Sequence, residues 1–309
     1  MALELKGYID LPRHAKKGGF DHADVHHRTN RLYVAHTTND AIDVIDCATD
    51  EYLYSIPHLT GVAGVLVSNE RDLVFSSNRG ENTVAIFSPQ NERQIMSVAT
   101  GLRPNGLSYD SERDLLLVAN LGDSGQAGPF SVSIINVENK RRISDISMPG
   151  PTRWTVFDPT RKVFFVNVAG PRQIVVISST TPDRICNTVD VPVNGPHGLA
   201  IDPQSRRLFC ACDGGKLVMV NAENGELLSE MDLSGKPDAT WFNPALNRVY
   251  VAAADPGVLD IFDAGRMEHL QTVPTEKGAK TTAFDATRNK LFVFLPQTHR
   301  AAVYIDEHT

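Results

Sequence analysis

An eighteen-residue pattern recurs along this chain, and it limits the fold more than any other feature. The clearest copies are "RPNGLSYDSERDLLLVAN" from Arg103, "GPTRWTVFDPTRKVFFVN" from Gly150 and "GPHGLAIDPQSRRLFCAC" from Gly195. "KPDATWFNPALNRVYVAA" from Lys236 and "GAKTTAFDATRNKLFVFL" from Gly278 follow, and two looser copies begin at Phe20 and Gly61. Aligning them makes His22, Ala63, Asn105, Arg153, His197, Asp238 and Lys280 equivalent, at steps of 41, 42, 48, 44, 41 and 42 residues. A fixed period of this size implies a solenoid, a propeller or an array.

Each unit reads as four short strands. In the fifth unit these are "GLAI", "RLFCAC", "KLVMVNA" and "ELLSEMDL", parted by the turn signals "DPQS", "DGG" and "AENG". Nothing shows the 3.6-residue period of an amphipathic helix. The first strand is apolar at both parities, as in Leu199, Ala200 and Ile201, which suits a strand covered on both faces. Four strands per unit, repeated radially, predict an all-β, seven-bladed β-propeller in one domain spanning 1–309. The seventh unit ends after three strands, and "ELKGYIDLP" near the N-terminus matches the fourth strand of other units. The N-terminal strand is therefore expected to complete the last blade and hide two sheet edges.

Two stretches, "TNRLYVAHTTNDAIDVIDCATDEYLYSI" and "LNRVYVAAADPGVLDIFDAGRMEHLQTV", resemble the YVTN-type repeats of seven-bladed propellers. In that family N-x-x-Y-V-A-N opens the second strand and V-x-V-I-D marks the third. The resemblance covers the whole chain. It implies the propeller fold and a range of roles, from lactonases and lyases through electron-transfer proteins to binding scaffolds.

Composition narrows the partners. A net charge of −7 with scattered basic residues argues against nucleic acid. No apolar stretch is long enough to span a bilayer, and the N-terminus lacks the basic start and apolar core of a signal peptide, so a cytoplasmic protein is expected. Cys47, Cys186, Cys210 and Cys212 show no paired C-x-x-C spacing and are expected as buried small hydrophobes. Trp154 and Trp241 fall in first strands, where packing between blades is the expected role.

Chemistry is expected where the copies disagree. In a propeller the loop into the first strand and the loop between the second and third open on one face, so both feed one mouth of the central channel. Six of the seven equivalent positions there are polar or ionisable, and of several kinds. Asp110, Asp158, Asp202 and Asp285, by contrast, agree at the turn after the first strand and read as turn formers. Arg153 suits a carboxylate, gripped by two parallel hydrogen bonds, and Lys280 offers a point charge. His197 is the expected acid or base, with Asp238 orienting it. His22, Asn105, His36 and Asn120 are further candidates for substrate contact, although Asn120 also fits the usual asparagine of the repeat.

The segment "GGFDHADVHH" holds Asp21, His22, Asp24, His26 and His27. Imidazole and carboxylate groups bind divalent zinc, iron or manganese, so His22 and His197 with Asp21 or Asp24 form a candidate metal set. The alternation of a strand prevents all five from reaching one ion. In the third unit "LGDSGQAGPF" is a glycine-rich loop suited to a lid. No nucleophile elbow, H-E-x-x-H motif or phosphate-cradling loop is present. Two functions are therefore expected. One is a lyase or lactone hydrolase acting on an anionic or carbonyl-bearing small molecule in the central funnel. The other is a non-catalytic propeller that binds a metabolite or a protein partner.

Overall fold

The computed structural model describes residues 3–123 and 128–307. Its strands form seven four-stranded antiparallel sheets, each built from consecutive segments except the last. The fifth blade shows the pattern, with strands Pro196–Asp202, Arg207–Cys212, Lys216–Asn221 and Leu227–Asp232. The inner strands of the other blades, in chain order, are Ala23–His26, Val62–Ser68, Pro104–Asp110, Thr152–Asp158, Pro237–Asn243 and Thr282–Asp285. The seventh blade closes the ring as expected: Leu3–Asp10 pairs antiparallel with Arg300–Asp306, Leu3 facing Asp306 and Asp10 facing Arg300. This join satisfies the backbone of what would otherwise be a bare sheet edge.

Burial follows strand rank. The second strand of blade 3, Leu115–Asn120, is buried at all six positions, whereas the fourth strand of that blade, Arg141–Ser147, is mostly exposed. That geometry corrects one expectation. Cys186 lies on the outermost strand of blade 4 and is exposed, while Cys47, Cys210 and Cys212 are buried. Between successive blades the described residues form seven apolar clusters. Phe209 of blade 5, for example, stacks on Phe242 of blade 6 at 5.3 Å between ring centres. The recurrent aspartates act as turn formers. Asp202 Oδ1 accepts the N–H groups of Gln204 and Ser205, and Asp158 Oδ1 those of Thr160 and Arg161. Part of the expected lid of blade 3, residues 124–127, lies outside the described residues.

Around the axis the inner strands press together. A Cβ placed on Gly64, Gly106 or Gly198 would lie 2.1, 2.7 or 2.2 Å from the carbonyl oxygen of Asn105, Arg153 or Asp238 on the next blade. Those carbonyls belong to the equivalent positions singled out in the sequence. Side-chain bonds reinforce the contact: Asn167 Nδ2 of blade 4 donates to the carbonyls of His197 and Gly198, and Ser77 Oγ of blade 2 donates to that of Asn105. Gly198→Ala should therefore force the backbone apart and cost about 1–3 kcal/mol of stability, as overpacking does. Gly7→Ala, on the outer strand with nothing within 4 Å, should stay within about 0.5 kcal/mol of the parent. Equal denaturant midpoints for the two variants would show that close approach at the axis is not limiting.

Candidate functional site

The equivalent positions meet at one end of the channel, tied by a chain of polar contacts. Lys280 Nζ donates to Asp238 Oδ2 at 2.8 Å, and His197 Nε2 lies 3.7 Å from Asp238 Oδ1. His197 Nδ1 bonds Asp213 Oδ1 at 2.9 Å, and Lys236 Nζ lies 3.7 Å from the other oxygen of Asp213. On the facing side Arg79 bonds the Asn105 side-chain oxygen and lies 3.1 Å from Asp21 Oδ2. Asp21 in turn lies 3.6 Å from His22 Nε2. Arg79 and Asp213 follow the second strands of blades 2 and 5, so the two expected loop sets do feed one mouth.

Charge is unevenly satisfied there. Burial alone would raise the Asp238 carboxyl. The Lys280 charge, His197, and the bonds from Lys280 and Trp154 outweigh burial and hold it far below the ordinary range. Asp238 holds Lys280 above its usual value in return. Asp213 is also lowered: burial opposes ionisation, but the His197 bond and the Lys236 and Arg153 charges prevail. His22 goes the other way, since burial pushes its imidazole down and keeps it neutral. Arg153 makes no ion pair among the described residues. Its Nη1 donates to the Thr152 carbonyl, and its buried Nε has no partner.

Several expected residues sit elsewhere. Asp213, rather than Asp238, is the nearer orienting partner of His197. His36 is wholly buried away from the mouth, where Nδ1 bonds Asp43 Oδ2 at 2.7 Å and Nε2 meets His14 Nδ1 at 2.7 Å. Asn120 is buried too, and Nδ2 donates to Ser131 and Ser133, so it braces its own blade. The candidate metal set does not fit an ion. Among the described residues no three His, Cys, Asp or Glu side chains are grouped to hold one. Both Asp24 oxygens accept backbone N–H groups, from Val25 and Val67 at 2.8 Å, and His197 Nδ1 is taken by Asp213. Asp24 is held at Val67, near the far end of the neighbouring inner strand Val62–Ser68 and away from the mouth.

The tryptophans depart furthest from expectation. They do touch the apolar clusters beside blades 4, 5 and 6, but both also reach into the channel. The Trp154 indole from blade 4 crosses to stack on His22 of blade 1, 4.2 Å between ring centres and 10° from parallel. Its Nε1 donates to Asp238 Oδ1 of blade 6 at 3.0 Å. Trp241 meets it edge-on at 6.5 Å and bonds Thr282. Below this septum lies a cavity of about 500 Å³, lined by inner-strand residues of blades 1–6. It reaches Glu70, Ser111 and Pro159, in the turns at the opposite face. The residue after each equivalent position is Ala23, Gly64, Gly106, Trp154, Gly198, Ala239 or Thr281. One large residue among small ones was the available signal for the septum.

Removing the Lys280 charge should expose the cost of the Asp238 carboxylate. Lys280→Met is expected to lose about 1–3 kcal/mol, since a buried charged acceptor loses a donor. The sign with pH follows from the shifts. The Asp238 contribution is present above the unfolded carboxyl range and is lost as pH falls toward its lower folded value. That of Lys280 is present below its ordinary 10.5 and is lost as pH rises through its raised value. Melting temperature should thus be insensitive to this pair between about pH 5 and 9. In Lys280→Met the Asp238 carboxyl is no longer held down by that charge, so the acid-side decline should be shallower, and an unchanged acid limb in thermal melts would contradict the assignment.

Neither a protein-family model nor a curated protein matches the chain. Solved structures do match in fold. One is a chain of the hydrazine synthase of Kuenenia stuttgartiensis, with a TM-score of 0.80 at 13% identity over 95% of this chain and 96% of that one. Another comes from the crystal structure of a mitotic checkpoint complex, with a TM-score of 0.80 at 13% identity over 97% and 91%. At such identity the likeness concerns architecture alone: the chain is a seven-bladed β-propeller.

Proposed function

We propose that the polar mouth binds a small carboxylate- or carbonyl-bearing molecule and that His197 moves a proton on it, as in a lyase or a lactone hydrolase. The observation that carries this reading is the Asp213–His197 pair beside the unpaired Arg153. A carboxylate can only accept, so Asp213 fixes the proton on His197 Nδ1 and leaves a lone pair on Nε2. When Nε2 takes a proton, the imidazolium gains Asp238 at 3.7 Å as a counter-charge. Arg153 is the group for the ligand's carboxylate, or for the enolate or oxyanion that proton removal creates.

In the lyase form, Nε2 removes a proton from the carbon next to a carbonyl. The electron pair moves onto the carbonyl oxygen and then returns to expel the leaving group. In the hydrolase form, Nε2 takes a proton from a water as its oxygen attacks the lactone carbonyl, and returns it to the ring oxygen as the tetrahedral intermediate collapses and the ring C–O bond breaks. Among the described residues the partners of the His197 ring are Asp213 and Asp238, and both forms run without a covalent nucleophile. The YVTN-type repeat motifs support the same range of chemistry. A second reading, ligand binding without turnover, is favoured by one feature: Asp238 and Lys280 already satisfy one another, and Asp213 is taken by His197.

A panel of 2-hydroxy acids and small lactones, followed by calorimetry and by proton exchange into deuterated water, separates these readings. Arg153→Ala should weaken binding of the best ligand roughly 10- to 100-fold, the worth of a charge-assisted bond. His197→Gln should retain binding but abolish proton exchange or ring opening, with the melting temperature nearly unchanged. Binding without exchange in the parent would leave the non-catalytic reading. Ligand affinity that survives Arg153→Ala would move the site away from this mouth.

A further inference from the structure

The cavity beneath the septum is a second compartment with a chemistry opposite to that of the mouth. Its walls carry half-buried apolar and aromatic groups, among them Leu66, Val156, Phe157, Trp241 and Phe242, and Trp154 forms the roof. Among the described residues no lysine or arginine lines it. The carboxylate of Asp24 on its wall is already taken by two backbone N–H groups, and Glu70 stands exposed at the rim. Tyr109 donates its hydroxyl to Asp114 at 2.5 Å. Two polar atoms remain: Ser108 Oγ and Thr155 Oγ1 are buried on neighbouring blades, and neither has a hydrogen-bond partner.

From these features we propose that the lower cavity is a binding site for an uncharged aromatic small molecule bearing a carbonyl or hydroxyl oxygen. Its rings lie against the aromatic walls, and its oxygen bonds Ser108 and Thr155. A volume near 500 Å³ suits a ligand of two or three rings, within the range of roughly 300–1,000 Å³ for small-molecule sites. A free anion is disfavoured because no lysine or arginine among the described residues faces the space, and burial disfavours a charge on His22 in the roof. Apolar walls with a few convergent polar groups are the usual composition of such sites. This site stands independently of the proton-transfer reading, since none of Arg153, His197, Asp213 or Lys280 borders the cavity.

The two tryptophans of the chain both line the cavity, so intrinsic fluorescence reports on it directly. The neutral naphthyl ketone prodan is the probe. Saturable quenching of tryptophan emission, with a blue shift of prodan emission at one probe per chain, is expected. Ser108→Ala with Thr155→Val should weaken prodan roughly two- to tenfold, the worth of a neutral hydrogen bond, and leave naphthalene unaffected. Ala200→Phe fills the cavity and should reduce binding roughly tenfold or more. Val156→Phe, on the half-buried wall, tests the same point if Ala200→Phe fails to fold. Arg153→Ala should leave prodan binding unchanged, which separates failure here from failure at the mouth. Tryptophan emission that ignores prodan up to its solubility, or binding retained in folded filled variants, overturns the proposal.

Discussion

The molecule depends on how closely seven inner strands can approach one axis. In blades 2, 3 and 5 no room for even a single methyl is left between the glycine of one strand and the carbonyl of the next. That contact is made by backbone, so it places no demand on the side chain of the residue supplying the carbonyl. Asn105, Arg153 and Asp238 all meet it equally. The same geometry aims those side chains into one small volume. Positions that are structurally interchangeable in their backbone are thereby free to differ in chemistry, and this is why the copies disagree there and agree at the turn aspartates.

Crowding charge into that volume has an electrostatic cost, and Asp238 carries most of the compensation. One of its oxygens faces Lys280, and the other faces Trp154 Nε1 and, further off, His197. With donors on both oxygens the carboxylate stays ionised despite burial, which fixes the sign of the field at the centre of the mouth. His197 is thus held between two carboxylates, Asp213 by a hydrogen bond and Asp238 by charge. Arg153 makes no ion pair among the described residues, yet its charge helps to keep Asp213 ionised.

The fold was legible in the sequence because seven copies repeat the same burial logic. Strand limits, the closing role of residues 3–10 and the turn function of Asp158 and Asp202 follow from local pattern. The mouth was legible as a set of positions but not as pairings. Nothing in "CDGGK" tells whether Asp213 braces a turn or a histidine; that depends on the distance between two loops of blade 5. His36 was misplaced for a related reason. Its position in the repeat points to the mouth, but Asp43 on the adjacent strand and His14 from the N-terminal segment capture it inside. Cys186 was misread because an outer strand leaves most of its residues exposed, and hydropathy alone does not rank the strands of a blade.

Trp154 joins the two halves of the channel. The slot it fills holds glycine, alanine or threonine in the other six blades, where the inner strands crowd together. Here the pairing slips between Thr152 and Thr155, and the indole crosses the axis to His22. One face of the ring system belongs to the apolar chamber, while its N–H belongs to the charged mouth. A molecule packed beneath the indole and a molecule held by Arg153 would therefore be separated by one side chain whose hydrogen bond reaches Asp238, which itself faces His197. Displacing that indole alters the donors on Asp238 and the roof of the cavity together. The two compartments are physically joined through a single rotamer, and the septum is as much a shared wall as a barrier.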